Sequence, residues 1–179
     1  MSGGISGSFE MASIGLLVAR VVIGLVMAAH GAQKLFGWFG GYGLKATGEF
    51  FVGLGFRPGR TFAAAASLAE IGSGLLIALG LFGPVGPALL ASVMVVAMIT
   101  VHWEHGLFAA SNGIEVPLLY LTAAVALAFT GYGRYSADAV LGLTDLGTPA
   151  LSGIVLGLGV LGGFANAALR HRQPRVAGA

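Results

Sequence analysis

Five stretches of this chain are each apolar and close to the length that crosses a lipid bilayer, and together they make up most of it: residues 12–36, 61–82, 84–103, 114–131 and 148–169. A hydrocarbon core of ~30 Å takes about 20 apolar residues in helical form. Backbone N–H and C=O groups find no water there, so a spanning segment must satisfy them within the protein. The expected fold class is all-α, a transmembrane helix bundle.

Composition agrees. Only 9% of the 179 residues are Asp, Glu, Lys or Arg, 56% are hydrophobic, and the mean hydropathy is +0.91. Soluble domains are usually about a quarter charged. A net charge of +2 is too small for a nucleic-acid partner, and the basic residues flank the spans, where orientation explains them. Without cysteine the chain carries no disulfide, redox thiol or thiolate metal site. Residues 1–11 are Ser/Gly-rich without Lys or Arg; they read as a flexible lead-in rather than a signal-peptide n-region.

The turn at 83–87, Gly-Pro-Val-Gly-Pro, separates spans two and three, because proline cannot continue a helix and glycine permits the reversal. Residues 44–56, between spans one and two, group Phe50, Phe51 and Leu54 on one helical face, with Lys45 and Glu49 on the other. Too short to span, this segment reads as an interfacial or re-entrant helix. Trp38, Phe39 and Tyr42 before it suit an interfacial aromatic belt. Span five holds Gly153/Gly157 and Gly159/Gly163 at the spacing that lets helices approach closely, for packing within the chain or for a homo-oligomer face.

Orientation follows from the basic residues. With five spans, Lys34, Lys45, Arg57, Arg60, Arg170, Arg172 and Arg175 fall on one side and only Arg134 on the other. The positive-inside rule places the richer side in the cytoplasm, with the N-terminus outside and the C-terminus, a basic tail at 170–179, inside.

Charges within the spans are the clue to function, since an ionisable group at the bilayer centre costs at least ~2.5–3.5 kcal/mol and rarely stands there without a partner or a task. Arg20 lies inside span one and Glu70 inside span two. Arg20, Gly24, Met27, Gly31, Lys34 and Trp38 form a stripe at helical spacing, flanked by His30. Glu70 is framed by Ser67, Ser73 and Gly74 and lies ~13 Å along its helix at 1.5 Å per residue. Span three ends in His102-Trp-Glu104-His105, and span four begins near Glu115.

Up-and-down topology puts His30, Lys34, Glu70, His102, Glu104, His105 and Glu115 at one end of the bundle, where they are expected to converge on one pocket. Arg20 lies deeper, paired with Glu70 to fix register or turned toward a ligand. The i,i+3 spacing of His102 and His105 is compatible with metal ligation, but no dedicated metal motif is present and none is expected. His30 suits a proton shuttle, a quinone hydrogen-bond partner or a histidine bonded to backbone.

Arg20…Gly24…His30-Gly-Ala-Gln-Lys34-Leu-Phe36, a connector ending Gly55-Phe-Arg-Pro58, and Glu70-Ile-Gly-Ser-Gly74 through Leu81 before a Gly/Pro turn together resemble the DoxX family of small bacterial membrane proteins, over about residues 12–140. The resemblance implies a four-helix bundle in the plasma membrane, to which residues 148–169 add a fifth helix. It also implies a link to quinol oxidase and thiosulfate:quinone oxidoreductase subunits, and to complexes that hold soluble redox enzymes at the membrane. Two functions stand side by side. In one, the chain is a subunit of a quinone/quinol-linked system: quinone enters the bundle, His30 and Lys34 bond its oxygens, Arg20, His102 and His105 complete the pocket, and Glu70 with His30 relays protons. In the other it is a non-catalytic anchor or assembly factor for soluble redox or stress-response enzymes. A small-solute pathway through the same polar cluster is a third reading.

Overall fold

The computed structural model describes residues 2–171, with side chains from residue 7 onward. Arg172 and Arg175 of the expected basic tail lie outside the described residues. Seven helices succeed one another: α1 (Ser2–Phe36), α2 (Gly43–Gly53), α3 (Gly59–Leu79), α4 (Val85–Ala97), α5 (Glu115–Thr130), α6 (Ala137–Leu141) and α7 (Pro149–Ala168). Helical structure continues beyond α4 as a π turn, Met98–His102, and a 3-10 turn, Trp103–His105. No strand occurs among the described residues, and the protein is an all-α membrane bundle.

Four helical stretches are long and apolar enough to cross a membrane: Gly7–Phe36, Gly59–Leu79, Val85–His105 and Pro149–Ala168. The fourth expected span departs from expectation. Helix α5 has 16 residues, or ~24 Å at 1.5 Å per residue, short of the usual length. It nevertheless runs the whole way between the two ends of the bundle. At one end the Ile114 and Glu115 amides bond the carbonyls of Gly106 and Leu107 beyond α4; at the other, the loop after α5 meets Ser13 of α1 at Gly133. Helix α7 crosses in the opposite sense, from Leu146 beside Gly83 to the His171 amide, which donates to Gly55 O at 2.8 Å. Five helices thus alternate between two ends, as up-and-down connectivity requires. Helix α1 begins at Ser2, so the segment expected as a flexible lead-in is helical.

Helix α4 is the centre of the bundle and packs against α3, α5 and α7. Its Leu90, Ala91 and Met94 are buried with Met27 of α1, Ile77 of α3, Ala124, Leu127 and Ala128 of α5 and Leu156 of α7. Outward faces carry exposed Val18, Val22, Leu25, Leu68, Leu75, Ile154, Leu158 and Phe164. An apolar shell around a core that holds the polar groups is the arrangement a lipid solvent selects.

The closest pairing is α1 on α3. The stripe expected on α1 faces α3 with Arg20, Gly24, Met27 and Gly31 buried, while Trp38 is exposed. A Cβ on Gly24 would lie 2.6 Å from the Ala78 nitrogen, and one on Gly74 the same distance from that of Ala28. Only glycine allows these two backbones so near. On α7, Gly159 and Gly163 pack against Ala88, Ser92 and Val95 of α4, whereas Gly153 and Gly157 meet nothing. The Gly159/Gly163 pair therefore serves packing within the chain.

Helix α2 is the amphipathic connector, held at both edges. Thr47 Oγ1 donates to the carbonyls of Gly43 (2.8 Å) and Lys34 (3.2 Å), tying α2 to the end of α1. Phe56, fully buried, stacks between Phe51 and Phe62 with ring centroids 5.7 and 5.0 Å away. Lys45 and Glu49 face outward.

Candidate functional site

Beneath α2 lies a cavity of about 420 Å³, walled by α1, α2, α3, α4 with its π turn, and α7. Most of its lining is apolar: Phe50, Phe51, Leu54, Phe62, Val93 and Val96, with alanines of α3. A few polar groups reach it, namely Lys34, Thr47, Glu70, Ser92, Thr100, His102 and Asn166. Apolar walls with a few placed polar groups are the usual character of a small-molecule site.

Glu70 is its centre. The residue is 2% exposed and is paired with Lys34, whose Nζ bonds Glu70 Oε1. Gly31 brings this about: α1 and α3 touch at Gly31–Ser67, one turn before each partner, so a lysine stem from one helix reaches a carboxylate on the other. Glu70 Oε2 is buried and has no hydrogen-bond partner. A carboxylate oxygen facing apolar walls unpaired is costly, and it is where a bound donor would be accepted.

His102 lines the same cavity from the π turn beyond α4. Its Nδ1 lies 2.7 Å from Asn112 O, and a carbonyl only accepts, so Nδ1 carries a proton and donates, while Nε2 makes no hydrogen bond within the described residues. The π turn is what allows Thr100, Val101 and His102, three residues in succession, to line the cavity.

The expected convergence is therefore partial. Lys34, Glu70 and His102 share the cavity with Phe50 and Phe51, and four candidates do not. His30 is exposed on α1, because the helix places it off the face that carries Gly31 and Lys34. His105 is exposed with Nδ1 2.9 Å from Val101 O, since the chain leaves the helix there. Glu115 binds the Ala109 amide at 2.7 Å and closes the 106–114 loop, and Glu104 is exposed. Among the described residues no three His, Asp or Glu side chains gather as a metal site.

Arg20 occupies the far end of the bundle and does not meet Glu70. It donates to the carbonyls of Ala78 and Tyr135, with Ile77 O at 3.5 Å. The two former join the C-terminal end of α3 to the loop after α5. Asp138 completes this polar knot by accepting from the amides of Phe82 (2.8 Å) and Gly83 (2.7 Å). Gly80, at φ 67°, lets the chain turn there beside the guanidinium. The Tyr132 phenol, buried in the same knot, is held far above its ordinary range by burial and then by the Asp138 carboxylate, with Arg20 opposing.

Sequence reasoning missed two residues. Asp138 had a local signal, since Ser136 caps α6 by accepting from the Ala139 amide. Asn166 had only its rarity as a polar side chain on an apolar helix.

A second, shallower groove of about 310 Å³ between α1 and α5 is lined by apolar side chains and Tyr120, and holds none of the candidate residues.

No curated protein and no solved structure matches this chain. The DoxX family model matches residues 15–103, from α1 to the first residue of the 3-10 turn after α4. Helices α5 and α7 lie beyond the matched segment. On that match, which takes in the α1–α3 pairing, the amphipathic connector and the Lys34–Glu70 pair, the chain belongs to the DoxX family of membrane proteins.

Proposed function

We propose that this protein is a membrane subunit of a quinone/quinol-linked redox system, with the quinone head group bound in the cavity under α2. The observation that carries this reading is the unpartnered Glu70 Oε2 beside Lys34 in an otherwise apolar cavity at one end of the bundle. A lipid-soluble carrier enters from the bilayer, and its polar head needs hydrogen bonds in an apolar place. Lys34 donates to a ring oxygen. Glu70 accepts a proton from, or passes one to, the same region. Conversion of quinone to quinol adds a pair of electrons and a pair of protons; the electrons come from a partner redox enzyme, while this chain's residues hold and move protons. His30 lies outside the cavity, so the relay rests on Glu70.

Protein purified in mild detergent from a bacterial membrane should carry a quinone detectable by mass spectrometry of extracted lipophiles, and Glu70→Gln should carry much less. Recovery of well-folded protein without quinone, alongside a stable soluble partner, would sink this reading and favour the anchor function.

In this reading the cavity faces the cytoplasm of a bacterial plasma membrane, because the basic residues Lys34, Lys45, Arg57, Arg60 and Arg170 share its end and Arg134 lies at the other. Reporter fusions after Arg60 and at the C-terminus should both report cytoplasmic; a periplasmic signal from either would overturn the orientation.

A further inference from the structure

We infer that α7 completes the ligand site through Asn166, and that the site selects a head group with polar atoms at both ends. This deepens the quinone reading and rests on it.

The charged, imidazole and amide groups of the cavity come from two pairs of packed helices. Lys34 and Glu70 come from α1 and α3, which pack on each other; His102 and Asn166 come from the end of α4 and from α7, which pack on each other. The rest of the lining is Phe, Leu, Val and Ala, with the small hydroxyls of Thr47, Ser92 and Thr100. A ligand with one polar end, such as a fatty acid or an alkylphenol, satisfies one set of groups and leaves the other facing hydrocarbon. A ring with oxygens on opposite edges satisfies both.

Asn166 stands out on its own helix. From Pro149 to Ala168 the only polar side chains are Ser152 and Asn166. Ser152 is fully buried against neighbouring helices, whereas Asn166 lines the cavity. Its amide makes no hydrogen bond to protein among the described residues, although a polar side chain on a membrane helix normally finds a partner. Asn166 and His102 also complement each other. The Asn166 amide both donates and accepts, and His102 Nε2 accepts in the tautomer that carries its proton on Nδ1. A carbonyl edge is met by the amide N–H, and the hydroxyl that replaces it on reduction by the ring nitrogen or the amide oxygen. Because α7 lies outside the matched segment of residues 15–103, which includes His102, the share of this selectivity that Asn166 supplies belongs to the part of the chain beyond that segment.

The test is a ligand comparison in the full-length protein: binding of a long-tailed para-benzoquinone and of the alkylphenol with the same tail, to wild type and to Asn166→Ala. Wild type should prefer the quinone by about tenfold, a hydrogen bond's worth of discrimination. Asn166→Ala should lose most of that preference by weakening quinone binding while phenol binding holds. Asn166→Gln, which keeps the amide, should retain part of it and serves as a folding control. Equal binding of both probes by wild type, or an undiminished preference in a folded Asn166→Ala protein, overturns the inference and leaves the site reading standing. If wild type binds neither probe, the site reading itself fails.

Discussion

Lys34→Ala should destabilise the bundle by about 3 kcal/mol, because it leaves the Glu70 carboxylate buried without its counter-charge. The figure sits at the lower end of the range for buried pairs, since the Lys34 side chain is 35% exposed and part of its interaction is already with the surroundings. Glu70→Gln should cost clearly less, for a neutral amide can sit in the same place and keep a hydrogen bond to Lys34. Combining the two should recover stability relative to Lys34→Ala alone, with a coupling of about 2 kcal/mol. Unfolding of the three variants in mild detergent measures this cycle. Additive losses would mean that Lys34 and Glu70 act independently. Quinone binding should fall in all three, so stability and ligand occupancy separate the structural from the functional part of the pair: Glu70→Gln keeps the first and loses the second.

Arg20→Ala should also cost about 3 kcal/mol, but with a different signature. Arg20 supplies donors to carbonyls at the end of α3 and in the loop after α5. Hydrogen bonds to a charged group are worth ~1.5–3 kcal/mol each, and carbonyls left bare in a buried place add their desolvation cost. Arg20→Lys should restore only part of this, since a single ammonium does not span the separate carbonyls as a planar guanidinium does. The knot lies at the end of the bundle away from the cavity, so folded Arg20→Lys protein should bind ligand as wild type does. A stable Arg20→Ala protein with weakened ligand binding would contradict this division of the molecule into a structural end and a binding end.

Much of the architecture was legible because a lipid solvent leaves few choices. A run such as 61–82 has to be a helix, and the Gly-Pro breaks at 83–87 have to be turns. The α1 stripe from Arg20 to Lys34 announced an interior face for the same reason. The amphipathic connector was legible too, because Phe50, Phe51 and Leu54 separate cleanly from Lys45 and Glu49. Span four was the weak point: apolar composition gave α5 its place in the membrane, but its length was decided by the loop that Glu115 closes.

What the sequence determined by itself, then, was that Arg20 and Glu70 must each be matched inside the bundle. It did not determine with whom. In a helix the partner depends on where two helices cross and how far one is displaced along the other. Here the Gly24–Gly74 and Gly31–Ser67 contacts set that displacement, so Lys34 rather than Arg20 meets Glu70. The same geometry sends Arg20 to the carbonyls of Ala78 and Tyr135, and helical rotation leaves His30 outside. Asn166 is the extreme case. It is separated from Glu70 by most of the chain, and only the docking of α7 on α4 brings it to the same cavity.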